Sequence, residues 1–265
     1  MPAPAPTAVA AAKPTVGPRP VLANSELVLG RNRLTVGLIG EGNRPVTDAD
    51  VAFGLFQLEG AQGTKRAETR ALFRWVEVES KGVYAAPVQF DAPGKWGIEV
   101  TATWPNRPAV TGRITVDVRE RGAAPMIGTL PPRSKSPVAA DVKDRSAICS
   151  ATPPCDLHDV SIDAAVASGK PSVVLFASPG FCVTATCAPE LGSVLELQKS
   201  RPNGVNYVHI EVWKDPRSQV VSDTMGEWGL QSEPWVFFLD GKGAVVDRFE
   251  GVATAGELIE AARAL

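Results

Sequence analysis

The stretch that decides the fold is VVLFASPGFC at residues 173–182, a continuous apolar run that leads into a short loop and a cysteine. A run of this kind is typical of a strand buried on both faces of a sheet. Two further apolar runs follow it, VNYVHIEVW at 205–213 and WVFFL at 235–239. Helical patterns at 190–199 and 219–228 separate the three runs. The predicted order β-α-β-α-β-β-α ends in an amphipathic helix at 254–265 and indicates a mixed sheet covered by helices.

The cysteine at the end of this strand, Cys182, is followed five residues later by Cys187. A thiolate is the attacking species in sulfur chemistry, and a position at the start of a helix stabilises it through unpaired backbone N–H groups and the helix dipole. Cys182 is therefore the expected nucleophile and Cys187 the expected resolving thiol. The predicted reaction is thiol–disulfide exchange through a mixed disulfide.

The spacing of the two cysteines restricts where the helix can begin. In a regular helix, residues five apart have Cα atoms about 8.7 Å apart, and a disulfide cannot form beyond about 7 Å. Pro189 is tolerated in a first helical turn and is costly deeper inside. We therefore expect a helix that begins near Thr186, with Cys182 in the loop before it or in a first turn that unwinds on oxidation.

The second half of the chain resembles the thioredoxin family, in particular exported TlpA-like thioredoxins. The resemblance rests on VVLFASPGFC at 173–182, on SEPW at 232–235 and on FFLDGKGAVV at 237–246. It implies a thioredoxin-like α/β domain over residues 149–265, protein thiols and disulfides as partners, no cofactor, no metal, and a cis Pro234 that faces the reactive thiol.

The chain departs from the family pattern in two ways. The family motif is Cys-x-x-Cys, whereas four residues separate Cys182 from Cys187 here. The family also carries a buried acid in the first strand, where this chain is apolar near Leu175. Glu233 or Glu211 would have to transfer the proton instead, and Glu233 joins Cys182, Cys187 and Pro234 as a predicted catalytic residue.

Three alternatives to an oxidoreductase stay open. The Cys-x4-Cys spacing also resembles peroxiredoxins of the bacterioferritin-comigratory type, although Ser232-Glu233 places an acid where that family needs a cation, and an acid raises a thiol pKa. A copper-handling module would use both cysteines and a distant histidine, and His209 lies inside a predicted strand. In a non-catalytic binding module, Cys182 and Cys187 would form only a structural crosslink.

The remaining cysteines, Cys149 and Cys155, flank a turn with two prolines. This arrangement predicts a structural disulfide in an oxidising compartment. A zinc site that combines His158 with a cysteine of the second pair is an alternative, as is a relay that passes electrons to Cys182.

The first half of the chain reads as all-β. Short strand patterns separated by turns at 21–120 predict a β-sandwich. This region resembles the immunoglobulin-like YtkA/FixH-type domains, on the stretches NRLTV at 32–36, NRPVTDADV at 43–51, GVY at 82–84 and PGKW at 93–96. Residues 121–148 are predicted to be a linker, and residues 1–20 a disordered Pro/Ala-rich tether.

Composition limits the function classes. The 265 residues carry a net charge of -2, without blocks of like charge, so neither nucleic acid nor an anionic membrane is an expected partner. No apolar run approaches the length of a membrane span. We expect an extracytoplasmic protein tethered through a trimmed signal or lipid anchor, or a cytoplasmic one if Met1 is the natural start; the oligomeric state is not predicted.

Overall fold

The computed structural model describes residues 17–60, 62–77, 81–182, 186–215 and 220–265. Strands occupy 43% of the structure and helices 19%. The strands are β1 Arg19–Leu22, β2 Leu27–Val28, β3 Gly30–Ile39, β4 Asp50–Glu59, β5 Gln62–Glu77, β6 Lys81–Phe90, β7 Gly94–Trp104, β8 Arg107–Arg119, β9 Ser172–Ala177, β10 Asn206–Glu211, β11 Trp213–Asp215, β12 Val220–Val221, β13 Trp235–Leu239 and β14 Val245–Glu250. The α-helices are α1 Ile162–Ala167, α2 Cys187–Ser200, α3 Asp223–Glu227 and α4 Ala255–Ala261.

The first eight strands form one curled sheet in the order β1-β3-β6-β5-β4-β7-β8-β2. The sheet is continuous because β5 is long enough to pair with two neighbours. Its first part, to Ala71, pairs with β4, and its second part, from Leu72, pairs with β6. The β2–β8 pair is parallel, so the sheet is mixed. The buried face of the eight-stranded sheet packs around the side chains of Trp96, Phe53, Phe90 and Tyr84.

The expected fold class, an immunoglobulin-like sandwich followed by an α/β thioredoxin-like domain, is wrong for this structure. One curled eight-stranded mixed sheet replaces the two facing sheets of a sandwich, because β5 bridges what would have been the two halves. The C-terminal part is not a clear α/β thioredoxin domain either. Among the described residues of 149–265, only the α-helix α2 exceeds seven residues, so the expected helical layers are short.

The C-terminal part is built on a four-stranded sheet in the order β10-β9-β13-β14. Strands β9 and β10 are parallel, while β13 runs antiparallel to both β9 and β14. Alternate residues of β9 enter opposite cores: Val173 and Leu175 face one core, Val174 and Phe176 the other. The apolar run is therefore a strand buried on both faces, as its sequence predicts.

Both edges of the four-stranded sheet are covered by irregular chain. Gly128 and Thr129, from the predicted linker, exchange backbone hydrogen bonds with Val245 of β14. On the opposite edge, the backbone N–H of His209 in β10 donates to the carbonyl of Leu157. These contacts satisfy backbone groups that an open edge would leave unpaired.

Buried ion pairs join the eight-stranded sheet to the C-terminal part. Arg248 of β14 lies 3.0 Å from the Glu26 carboxylate, and both side chains are less than one-tenth exposed. Arg33 of β3 pairs with Glu257 of α4 at 3.0 Å, also largely buried. One pair ties β14 to the residue before β2, and the other ties β3 to α4.

Helix α2 carries a fully buried carboxyl at Glu190, whose side chain accepts a hydrogen bond from the backbone N–H of Ala253. Burial raises the pKa of Glu190 to about 8 from an ordinary 4.5. The folded state therefore holds this proton more tightly than the unfolded chain does. The neutral carboxyl is compatible with folding at low pH, and stability falls as pH rises from about 4.5 through about 8.

Glu190→Gln is expected to flatten this pH dependence, because glutamine keeps the acceptor for Ala253 without becoming charged. The free energy of unfolding should rise by up to roughly 5 kcal/mol at pH 9 and change little at pH 4. Urea unfolding at several pH values measures the effect, with the exposed Glu196→Gln on the same helix as control. A Glu190→Gln curve parallel to that of the unmodified chain would contradict it.

Candidate active site

Two sulfurs meet at the end of β9. Cys182 lies in the loop after the strand, and Cys187 is the first residue of α2. Their Sγ atoms are 2.7 Å apart, so the pair is within reach of a disulfide. Cys187 is fully buried, whereas Cys182 is partly exposed. An incoming substrate therefore reaches Cys182 first.

The start of α2 explains how a Cys-x4-Cys pair can close. The helix begins at Cys187 with Thr186 as its preceding cap, and Pro189 falls in the first turn. This confirms the predicted late start, which leaves Cys182 outside the helix. The expectation that the helix dipole stabilises a Cys182 thiolate at the start of the helix is wrong, however, because Cys187 is the first residue of α2.

Cys187 and Glu233 are two groups beside the Cys182 sulfur that can carry a proton. The Cys187 thiol donates toward the Cys182 sulfur and lies 3.4 Å from Oε2 of Glu233. The contact with Cys182 and burial raise the pKa of the Cys187 thiol far above its ordinary value. Burial, with the nearby Cys182 sulfur as a smaller cause, also raises the pKa of Glu233. The carboxyl is thus placed to exchange a proton with the buried thiol.

The loop with Glu233 precedes β13, and its Glu233–Pro234 peptide bond is cis, as the resemblance implied. Ser232 anchors this loop: its hydroxyl donates to Glu250 at 2.8 Å and accepts from the indole N–H of Trp235 at 3.0 Å. Ser25, in the connection between β1 and β2, reaches the same place, with its Oγ 3.3 Å from that of Ser232. The proline loop therefore contacts both parts of the chain.

The loop before Cys182 is braced by the segment that follows Cys149. Ser150 accepts a hydrogen bond from the backbone N–H of Gly180, and its own N–H donates to Oε2 of Glu211. A Cβ at Gly180 would lie 2.6 Å from the Ser150 carbonyl oxygen, so only glycine permits this approach. Glu211, the other predicted proton carrier, is thus occupied in holding the loop.

A second group of ligating side chains lies on the α2 side of the sheet: Cys149, Cys155, His158 and His209, all buried. The predicted Cys149–Cys155 disulfide is not confirmed, since the two Sγ atoms are 3.7 Å apart. The sequence placed His158 near Cys155 but assigned His209 to ordinary sheet packing. The signal for His209 was its polar ring inside an apolar strand.

Two groups of described residues could hold a metal ion. One is this buried set, and the other is Cys182, Cys187 and Glu233. His209 belongs to the first group, so the copper-handling alternative, which needs a histidine beside Cys182, gains no support. In the same ranges of the chain, no helix combines the length and apolar character needed to cross a bilayer.

Comparison with known proteins gives low similarity. No family model matches the chain, and no curated protein matches it. Among solved structures, the chain is similar to StoA from Bacillus subtilis, a thioredoxin-like protein, at 19% identity and a TM-score of 0.32, covering 43% of this chain and 94% of StoA. An engineered protein matches at 16% identity and a TM-score of 0.25, covering 39% of this chain and 20% of the other. At scores this low the likenesses carry no functional argument.

Proposed function

We propose that this chain is a thiol–disulfide oxidoreductase that acts on protein thiols and disulfides through Cys182 and Cys187. The observation that carries the proposal is the 2.7 Å approach of a partly exposed sulfur to a buried one. This difference in exposure suits thiol–disulfide exchange, because one thiol must attack the substrate and the other must attack only the mixed disulfide.

In the reductive direction, the Cys182 thiolate attacks one sulfur of a substrate disulfide and expels the other as a thiolate, which takes a proton from water. Cys187 then loses its proton to the Glu233 carboxylate, and its sulfur attacks Cys182. The Cys182–Cys187 bond forms as the bond to substrate breaks. The substrate gains two electrons, and the cysteine pair loses two. The oxidative direction is the reverse of these steps.

The proposal is tested by insulin disulfide reduction with dithiothreitol as the electron source, alongside hydrogen peroxide turnover under the same conditions. We expect catalysed insulin reduction and no catalysed peroxide loss. Equilibration with glutathione buffers, followed by mass mapping, should show a Cys182–Cys187 bond in the oxidised form. Peroxide turnover without insulin reduction would replace the proposal with a thiol peroxidase.

Glu233→Gln is expected to slow the resolving step by about 10²-fold near neutral pH, because glutamine cannot take the Cys187 proton. Since the pKa of Glu233 is raised, the rate in the unmodified chain should climb with pH above the usual carboxyl range. The variant should recover as pH rises and hydroxide removes the thiol proton. Stopped-flow decay of the mixed disulfide against pH measures both curves.

Glu211→Gln is the matched control, because it changes a neighbouring carboxylate that bonds the backbone of Ser150 instead of a reacting sulfur. It should keep the form of the pH profile and displace it slightly to lower pH, because the Glu211 charge is one of the smaller causes that raise the pKa of Glu233. Equal losses in both variants, with identical profiles, would remove Glu233 from the mechanism.

A further inference from the structure

Four side chains outside the thiol pair converge on one buried point: Cys149, Cys155, His158 and His209. They are between 1% and 8% exposed. The first three lie within ten residues of chain before α1, and His209 comes from β10. Thiol and imidazole groups are the ligands that zinc prefers, and a Cys2His2 set completes its tetrahedral shell.

The distances between the ligand atoms fit a tetrahedral ion. Zn–S bonds of about 2.3 Å and Zn–N bonds of about 2.0–2.1 Å place ligand atoms about 3.8 Å apart for two sulfurs, about 3.5 Å for sulfur and nitrogen, and about 3.3 Å for two nitrogens. The two sulfurs here are 3.7 Å apart. Nδ1 of His209 lies 3.8 Å and 3.3 Å from the sulfurs of Cys149 and Cys155, and 3.1 Å from Nε2 of His158.

Groups around the site orient the ligands. Nε2 of His209 lies 3.0 Å from the carbonyl of Ala177. A carbonyl only accepts, so Nε2 carries the proton and Nδ1 presents its lone pair to the cluster. The backbone N–H of Cys155 donates to the Cys149 sulfur at 3.4 Å, an interaction that favours a thiolate.

We propose that these four residues form a structural zinc site. Binding releases two thiol protons to water, and two thiolates with two neutral imidazoles then balance the charge of Zn²⁺. A neutral site of this kind is compatible with its place in an apolar core. All four positions are filled by protein, so the site holds no open position for catalysis. Its role is to tie the 149–158 segment to β10, beneath the loop that Ser150 braces.

The test is the zinc content of the full-length chain purified without chelators. We expect about one equivalent of zinc per chain, and the same in a Cys182→Ser/Cys187→Ser control, which lacks the other sulfur cluster. Cys155→Ser and His158→Gln should each lose the bound zinc after dialysis. Because either variant could unfold, cobalt exchange into the unmodified chain supplies a second measurement: thiolate charge-transfer bands and the intense d–d bands of a tetrahedral centre are expected.

The proposal is overturned if the unmodified chain neither contains zinc nor takes it up after reduction, or if peptide mapping finds Cys149 and Cys155 joined as a disulfide that, once reduced, still binds none. Zinc lost from the Cys182→Ser/Cys187→Ser control and retained in His158→Gln would also overturn it, by moving the metal to the other cluster. Insulin reduction is scored separately, so failure of either proposal leaves the other intact.

Discussion

Cys182→Ser is expected to abolish insulin reduction, with a fall of about three orders of magnitude or more, because it removes the only sulfur of the pair that a substrate can reach. Cys187 lies within 2.7 Å of it but is fully buried. Its thiol also has a raised pKa. Neither property allows it to replace Cys182 as the attacking group.

The partner variant, Cys187→Ser, should behave differently although it also stops turnover. Cys182 can still attack, but nothing then resolves the mixed disulfide, so a covalent complex with substrate should accumulate and survive non-reducing electrophoresis. Iodoacetamide should label Cys182 before Cys187 in the reduced unmodified chain. Trapping by Cys182→Ser instead of Cys187→Ser would reverse the assigned roles.

Arg248→Met is expected to destabilise the chain by about 3–5 kcal/mol, because it leaves the Glu26 carboxylate buried without its cation. The Arg248 guanidinium also donates to the carbonyl of Pro125 at 3.2 Å. Glu26 accepts a further hydrogen bond from the backbone N–H of Ala123. The arginine therefore joins β14, the segment after β8 and the residue before β2 in one buried network.

Chemical denaturation of a double-mutant cycle measures this effect. Glu26→Gln/Arg248→Met should recover part of the stability that Arg248→Met loses, because no uncompensated charge is left inside. The exposed pair Lys95–Asp117 is the control, and Lys95→Met should cost no more than about 1 kcal/mol. Equal losses from Arg248→Met and Lys95→Met would contradict the buried-pair argument.

The sequence predicts the buried strands better than the overall fold class. The runs at 173–177 and 235–239 are strands, as expected of short apolar runs that are bounded by turn residues and rich in β-branched and aromatic side chains. In contrast, β5 was not predicted. Its stretch from Gly63 to Arg70 is polar and mostly exposed, so backbone pairing with β4 holds it, without a hydrophobic pattern. That single omission changes a predicted sandwich into one curled sheet.

The predicted helix at 219–228 was also wrong at its start. Val220–Val221 pairs with β11 as a short strand, and the helix covers only Asp223–Glu227. Residue 219 lies outside the described residues. Val220 and Val221 are β-branched and favour an extended backbone. The helical pattern of the residues after them extended the predicted helix over this pair.

The thiol site was predictable in part, because the Cys-x4-Cys spacing allows a disulfide only if the helix begins after Cys182. The distance between Cys182 and Cys187 along a helix, together with Pro189, indicated where α2 begins. The second cluster was not predictable in the same way. His209 lies 51 residues from His158 in the chain, and only the parallel register of β10 beside β9 brings its ring to the cysteines.

The contact between Ser25 and Ser232 has a consequence for the choice of redox partner. On the proposed function, a protein that lays its chain across Pro234 to present a disulfide must also fit beside Ser25, which lies between β1 and β2 and contacts that loop. We expect steric exclusion there to select among client proteins before any sulfur reacts. We therefore expect a narrower range of clients than a bare thiol domain would accept, with the discrimination set in part by residues of the first half of the chain.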